Sequence, residues 1–422
     1  SLINVNYFEG KAGSLVHVSN AGALTIGFTG GAFDITGLSS GSDRNITLTT
    51  NGNLVVSEAV TANGAGNLSL TSNVTNGMLS NIADATITST SGTITLTADQ
   101  LSIGSNISSS GALIIQPLTA GTAVSIGTTG GTFALDDSEL EYLVDGFATI
   151  TLGRNDSGAM NIETALFKDP ITIISGGSLT VNAGAPSLST GQDNAGITLI
   201  SSVGSSIAVN GGISANGSGT IQINSGAAFT LADSVVIDSE SGTININTTG
   251  ENDQTINGTI VTGGSGTITV NASRSILMDA TSTIKTNTGA ILMDAATSTV
   301  GSLILDEVMS TGSGQITMRA GTIGSITEAD NSALIQTNGL LFINDTGNRS
   351  TVGSAALNEA LNIQVAELRM QAAGDTYLNA IGSLKLGNGD GGISNSAGLI
   401  NIAATGAMTV FNTVVTNGTG TS

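Results

Sequence analysis

The sequence predicts an all-β fold, a right-handed parallel β-helix with about three short strands in each coil of roughly 23 residues, a repeat length within the range of stacked-repeat architectures. Three observations predict it. A Gly-punctuated phrase recurs at nearly constant spacing, apolar and polar residues alternate strictly inside the phrase, and the composition suits thin, repetitive layers. Of 422 residues 58 are Gly, aromatics make up 3% and there is no Trp or Cys, yet 39% are hydrophobic. Charged residues are only 10%, against roughly 25% in average globular proteins.

The phrase runs Gly92-Thr93-Ile94-Thr95-Leu96-Thr97, Gly219-Thr220-Ile221-Gln222-Ile223-Asn224, Gly242-Thr243-Ile244-Asn245-Ile246-Asn247 and Gly266-Thr267-Ile268-Thr269-Val270-Asn271. Two further copies start at Gly289 and Gly314. The first apolar residue of the phrase therefore falls at Ile221, Ile244, Ile268, Ile291 and Ile316, in nearly equal steps. Alternation with period 2 is the pattern of a strand with one buried face. Each period holds more such runs: Phe229-Thr230-Leu231 and Val235-Val236-Ile237 follow the first, and Ser275–Asp279 and Ser302–Leu305 serve as second strands later. Gly, Asn, Asp and Ser stand between them as turn residues. Such a unit cannot bury its apolar face alone, but stacked units can, each strand pairing with its counterpart one coil on. Ile221, Ile223, Ile244, Ile246, Ile268 and Val270 are the expected inward ladders, and Gly is expected at corners for its positive φ. About 18 coils at ~4.8 Å each would form a rod on the order of 85 Å. The hand is expected from parallel crossovers in general.

The chain reads as one continuous solenoid over 1–422, divided by regularity. Residues 1–132 form less regular coils, 133–178 carry an insertion, 179–340 are regular, and 341–422 are irregular. Two stretches break the period and are expected as short helical or irregular insertions, near 136–146 and 355–373. The first has an N-cap-like Asp136 followed by Leu140, Leu143 and Val144. The second is the run from Ala355 to Ala373. A phrase within 150–158, Ile150-Thr151-Leu152-Gly153 with Asp156 and Gly158, returns at one constant offset as Leu384-Lys385-Leu386-Gly387 with Asp390 and Gly392.

The formal charge is −21 with only 10 Lys and Arg. That excludes a nucleic-acid partner, because phosphate neutralisation needs clustered cations. Without Cys there are no disulfides or thiolate metal sites. No apolar run reaches the ~18 residues of a membrane-spanning helix, so no membrane insertion is expected. The chain starts Ser1-Leu2-Ile3 without a signal peptide, which reads as a processed piece or a fragment.

Reactive groups are few. The single His, His17, lies in the alternating run Leu15-Val16-His17-Val18, so a Ser-His-Asp triad has only this residue to use and an outward strand position is expected instead. Carboxylate pairs for glycoside chemistry would need to lie roughly 5–9 Å apart, and neighbouring coils could bring together Asp279 with Asp294 or Asp233 with Asp238. Calcium-type spacing is approached at Gly387-Asn388-Gly389-Asp390-Gly391-Gly392, with Asp156 in a related turn. Corner carboxylates and a Gly-rich turn are the plainer readings. Outward Thr and Asn (Thr93, Thr95, Thr97, Thr243, Asn245, Thr267, Thr269, Asn271) suggest a solvated hydroxyl face, interrupted for ice binding by Gln222, Gln315 and Met293. Sequons such as Asn45 and Asn67 follow from the composition. No catalytic, cofactor or metal residue is assigned, and the chain is not expected to be an enzyme.

The phrase Ser138-Glu139-Leu140, then Phe147-Ala148-Thr149-Ile150-Thr151-Leu152-Gly153 and Asp156-Ser157-Gly158, resembles a recurrent element of filamentous-haemagglutinin-like large exoproteins, which are secreted by the two-partner route. Coils such as Ser91–Thr95 are similar too. The family's secretion domain carries Asn-Pro-Asn signatures. Here Pro117, Pro170 and Pro186 follow Gln, Asp and Ala, so the resemblance implies a shaft region. It implies a secreted or cell-surface location and roles in adhesion, biofilm matrix or contact-dependent competition. The leading expectation is a structural or adhesive shaft that associates end to end or contacts surface glycans or proteins. A polysaccharide-active lyase or hydrolase, and a glycan-binding adhesin face, are the alternatives.

Overall fold

The computed structural model describes residues 2–28, 35–184, 186–191, 194–296, 299–330, 332–344, 351–354, 360–387 and 391–416. Half of the chain is strand and 1% is helix, arranged in parallel stacked coils, a β-solenoid of about 16 turns with roughly 24 residues per turn. The chain divides into two compact units, Ser1–Ser202 and Val203–Ser422.

In the first unit a typical coil has strands Ile46–Thr50, Leu54–Val56 and Val60–Ala62, and the next has Leu68–Ser72, Met78–Asn81 and Ile87–Ser89. Each pairs in parallel with its counterpart, Ile46 with Leu68, Leu54 with Leu79 and Val60 with Ile87. In the second unit Ile221–Ser225, Phe229–Leu231 and Val236–Ser239 pair with Ile244–Thr248, Gln254–Ile256 and Thr259–Thr262. The expected inward ladders are in place: Ile221, Ile223, Ile244, Ile246, Ile268 and Val270 are wholly inaccessible. β-Branched side chains suit this position because they pack closely on a pleated surface.

The turns number about 16 rather than the ~18 expected from 422 residues at about 23 per coil, because some coils are longer than the period. Leu113 pairs with Ile150, and Val16 with Ile46, each pair separated by well over one period of chain. The first of these long coils holds the insertion near 136–146. A five-residue helix, Asp137–Glu141, starts there on a capping box. Asp136 Oδ1 accepts from Glu139 N at 2.9 Å, and Glu139 Oε2 accepts from Asp136 N at 3.0 Å, so two otherwise orphaned amides are satisfied. Glu139 Oε1 also accepts from Ile103 N at 2.9 Å, tying the helix to an earlier coil.

The second expected insertion is corrected. Residues 355–359 lie outside the described residues, and Leu361–Ala372 is a twelve-residue strand rather than a helix. Its buried positions are 361, 363 and 365, then 368, 370 and 372. The alternation slips phase once, opposite a bulge between Thr337 and Leu340 in the preceding coil. The longer step from Val365 to Leu368 imitates helical spacing, which explains the misleading pattern.

The Gly of the repeated phrase also has a different reason from the one expected. Gly242, Gly266, Gly289 and Gly314 do not lie in the left-handed region. A Cβ on each would stand 2.1, 2.3, 1.7 and 2.0 Å from the carbonyl oxygen of the corresponding Gly one coil earlier. Close backbone approach excludes a side chain there. Positive φ occurs two residues before the phrase glycine in some coils, at Gly217 (φ 59°) and Gly264 (φ 54°).

Hydroxyls seal the same corner from inside. Ser239 is fully buried, donates to Gly219 O at 2.8 Å and accepts from Gly242 N at 2.9 Å. Ser89 does the same between Gly66 O (2.8 Å) and Gly92 N (2.9 Å) in the first unit. Thr262 and Thr337 donate to Gly242 O and Gly314 O at 2.7 and 2.6 Å. Each hydroxyl satisfies corner groups that burial would otherwise leave unpaired.

Candidate functional site

The residues singled out in the sequence are placed separately. His17 faces outward on Val16–Asn20, and its Nε2 lies 3.5 Å from Ser19 Oγ, so it makes a strand-surface contact and not a triad. Asp279 is held in its own turn, accepting from Thr281 N and Thr281 Oγ1 at 3.0 Å. Asp294 stands in register with Asn271 and Arg319 and pairs with Arg319 at 3.2 Å. Asp233 accepts from Ser234 Oγ at 3.2 Å, while Asp238 is raised by burial and by the nearby Glu240. Neither proposed pair shares a partner.

Asp156 is engaged by Arg154, which donates Nη2 to Asp156 Oδ2 at 2.6 Å and anchors itself on Pro117 O and Leu118 O at 3.1 and 2.9 Å. The guanidinium beside Asp156 holds its carboxyl below the usual range. Asp390 lies outside the described residues. Among the described residues no group of three or more His, Cys, Asp or Glu side chains is placed to hold a metal ion, and no helix is long and apolar enough to cross a membrane.

The outward polar face is largely as expected, except that Met293 does not interrupt it: its side chain is wholly buried in register with Val270 and Met318. Thr243 and Thr267 hydroxyls lie 3.2 Å apart, and Asn247 Nδ2 donates to Asn224 Oδ1 (3.1 Å) as Asn271 Nδ2 does to Asn247 Oδ1 (2.9 Å). Thr97 departs from it: it is 8% exposed, and Gln116 Nε2 donates to its hydroxyl at 3.3 Å. The sequon asparagines Asn45 and Asn67 bond coil to coil, accepting from Asn67 N and Thr93 N at 2.9 and 2.8 Å.

Of the acids that do come together, Asp306, Glu307, Glu328 and Asp330 were not singled out in the sequence, while Asp279 was. Glu328 stands in register with the buried Leu305, a core-facing place for a carboxylate. Asn362 closes over it, donating its backbone N–H to Oε1 and its Nδ2 to Oε2 at 3.1 Å. Burial is the largest influence and raises this carboxyl to about 7; Asn362 opposes the shift, and Asp330 and Asp306 add to it. Asp306, 6% exposed, is itself raised, first by burial and then by Asp330, Glu307 and Asp279. Asp279, Asp306 and Asp330 follow one another at close to the coil period, so counting acids at that period would have found this corner. A carboxyl near 7 is poised for proton exchange. Here both oxygens are committed to Asn362, so the arrangement works as a clasp between coils.

In the first unit Asp99 performs a related role in the ionised form. Burial opposes its charge, but hydrogen bonds from Thr119 Oγ1 (2.6 Å), Thr119 N (2.7 Å) and Asn76 N (3.0 Å) outweigh it and hold the carboxyl below its usual range.

No protein-family model, no curated protein and no solved structure matches the chain.

Proposed function

We propose that this chain is a structural shaft segment of a large exported or cell-surface protein, of the kind the filamentous-haemagglutinin-like resemblance implies. The supporting observation is the repeated use of inward side chains within each unit. Coil after coil, apolar ladders fill the core and buried hydroxyls close the Gly corners, as at Ser89, Ser239 and Thr262. Stability in such a stack is a sum of nearest-neighbour interfaces, which suits a part that carries load or spaces other parts. Two carboxyls with shifted acidity, Asp99 and Glu328, serve coil-to-coil hydrogen bonding.

Immuno-electron microscopy of native cells is the test. Antibody raised to this chain is expected to label material outside the cell envelope, in filaments or a surface layer. Label confined to the cell interior would overturn the proposal. Purified protein that depolymerised neutral or acidic polysaccharides would favour the enzyme alternative instead.

A further inference from the structure

In the second unit the outward face of the repeated strands carries an aromatic ring where Leu334–Asn344 pairs with Leu361–Ala372. One outward ladder runs Gln222, Asn245, Thr269, Leu292, Thr317, then Phe342 and Arg369. Phe342 stands between the buried Leu341 and Ile343, so its ring lies on the outer side of the sheet. Phe133, Phe167 and Phe229 are instead fully buried in the core, and an outward ring gains nothing from that core. Beside it Arg369 Nε donates to Glu367 Oε1 at 2.7 Å, with both side chains largely shielded. That contact fixes the guanidinium plane and cancels its charge locally. Gly391 makes room for it: a Cβ there would lie 3.2 Å from Arg369 Cδ. The bulge between Thr337 and Leu340 immediately precedes this patch, and bulges re-aim the side chains that follow them.

The result is a groove of about 370 Å³ whose lining includes Leu340, Phe342, Arg369, Gln371, Gln315 and Ser394. That volume falls within the roughly 300–1,000 Å³ of small-molecule sites, which combine an apolar base with a few convergent polar groups. Here the apolar part is an aromatic ring and the polar part is planar amide and guanidinium with a hydroxyl. Gln371 and Ser394 stand in register on successive coils, so donors and acceptors line one side of the ring. An amide offers both donor and acceptor, as a sugar hydroxyl does. A pyranose has an apolar C–H face and a rim of hydroxyls, which is the complement of this surface. An anion is disfavoured, because Glu367 neutralises Arg369 and the chain carries a charge of −21, whose field repels negative ligands.

We propose that this groove binds a neutral saccharide, with Phe342 as stacking platform and Gln371 and Arg369 as hydrogen-bonding arms. The assignment holds whether or not the coils serve as a shaft, and its test leaves that reading untouched. Saturation-transfer NMR with lactose, cellobiose, maltose and diacetylchitobiose tests it on the whole chain. At least one of these disaccharides is expected to show saturation transfer. Phe342→Ala should weaken its binding at least tenfold, Gln371→Ala by about threefold or more, and Phe342→Tyr should retain it. Leu292→Ala, on the same ladder two coils earlier, should leave binding unchanged. No transfer to any of the four sugars, or equal binding by correctly folded F342A, would overturn the proposal. If F342A failed to fold, full binding by Q371A would do so. Stronger binding of digalacturonate than of every neutral disaccharide would overturn the neutral-ligand assignment.

Discussion

Gly289→Ala perturbs the closest backbone approach among the phrase glycines. The added Cβ would stand 1.7 Å from Gly266 O, against a practical limit of 3.0 Å, so the two coils must separate by well over an ångström at this corner. The hydrogen bonds that join them there, Ile268 N to Ala290 O at 3.0 Å and Thr288 N to Gly264 O at 2.9 Å, would be stretched past useful length. Two such bonds contribute about 1 kcal/mol each. Overpacking of this kind costs roughly 1–3 kcal/mol, so with the two bonds the total is at least about 3 kcal/mol. Hydrogen exchange read by mass spectrometry is the suitable assay, because long repeat stacks depart from two-state unfolding and a solenoid transmits damage mainly to neighbours. Amides around Ile268 and Ile291 should exchange on the order of a hundredfold faster, while those of Ile46–Thr50 stay unchanged. Gly13→Ala, where nothing lies within 4 Å of the ideal Cβ, should shift stability by less than about 0.5 kcal/mol. Equal exchange in the two variants would refute the close-approach account of the phrase glycine.

Three further outcomes are expected. Ser239→Ala leaves Gly219 O and Gly242 N without their buried partner and should lower local stability in exchange experiments by about 1–3 kcal/mol. Phe229→Ala removes a fully buried ring and should lower the local stability of its coil, read by hydrogen exchange, by about 3–5 kcal/mol. Glu328, near 7 when folded and 4.5 ordinarily, is a raised carboxyl, so its protonated form favours the fold. Its penalty is complete above about pH 7 and fades as pH falls toward 4.5, so local stability should rise on acidification from above the folded value to near the ordinary one. The group is only half-buried, and solvent screening reduces the effect to about 1 kcal/mol. Glu328→Gln should flatten this slope; an unchanged slope would place the titration elsewhere.

The period and the strict alternation carried the stack, the inward ladders and the second strands, because both express the same repeated burial. The helix at Asp137–Glu141 was legible because Asp136 and Glu139 form a local cap. Other features depend on contacts between coils. Ser239 and Thr243 are similar in chemistry, yet one is sealed inside and the other faces out; only strand phase separates them. The phase slip after Val365 disguised a strand as a helix. Glu328 gave no warning, since an acid in a core-facing register position contradicts the pattern that defines the register. Phe342, Arg369 and Ser394 are brought together by coil steps of irregular length around a bulge, which a fixed period does not predict.

Distances between spin labels on one outward ladder test the stacked-coil architecture most directly. The chain has no cysteine, so paired labels report only on the introduced sites. Asn245→Cys with Phe342→Cys spans four coil steps and Gln222→Cys with Phe342→Cys spans five. Double electron–electron resonance should place the two pairs at separations differing by one coil, about 4.8 Å, around roughly 19 and 24 Å. Equal separations, or a difference that does not follow the coil count, would contradict the parallel solenoid.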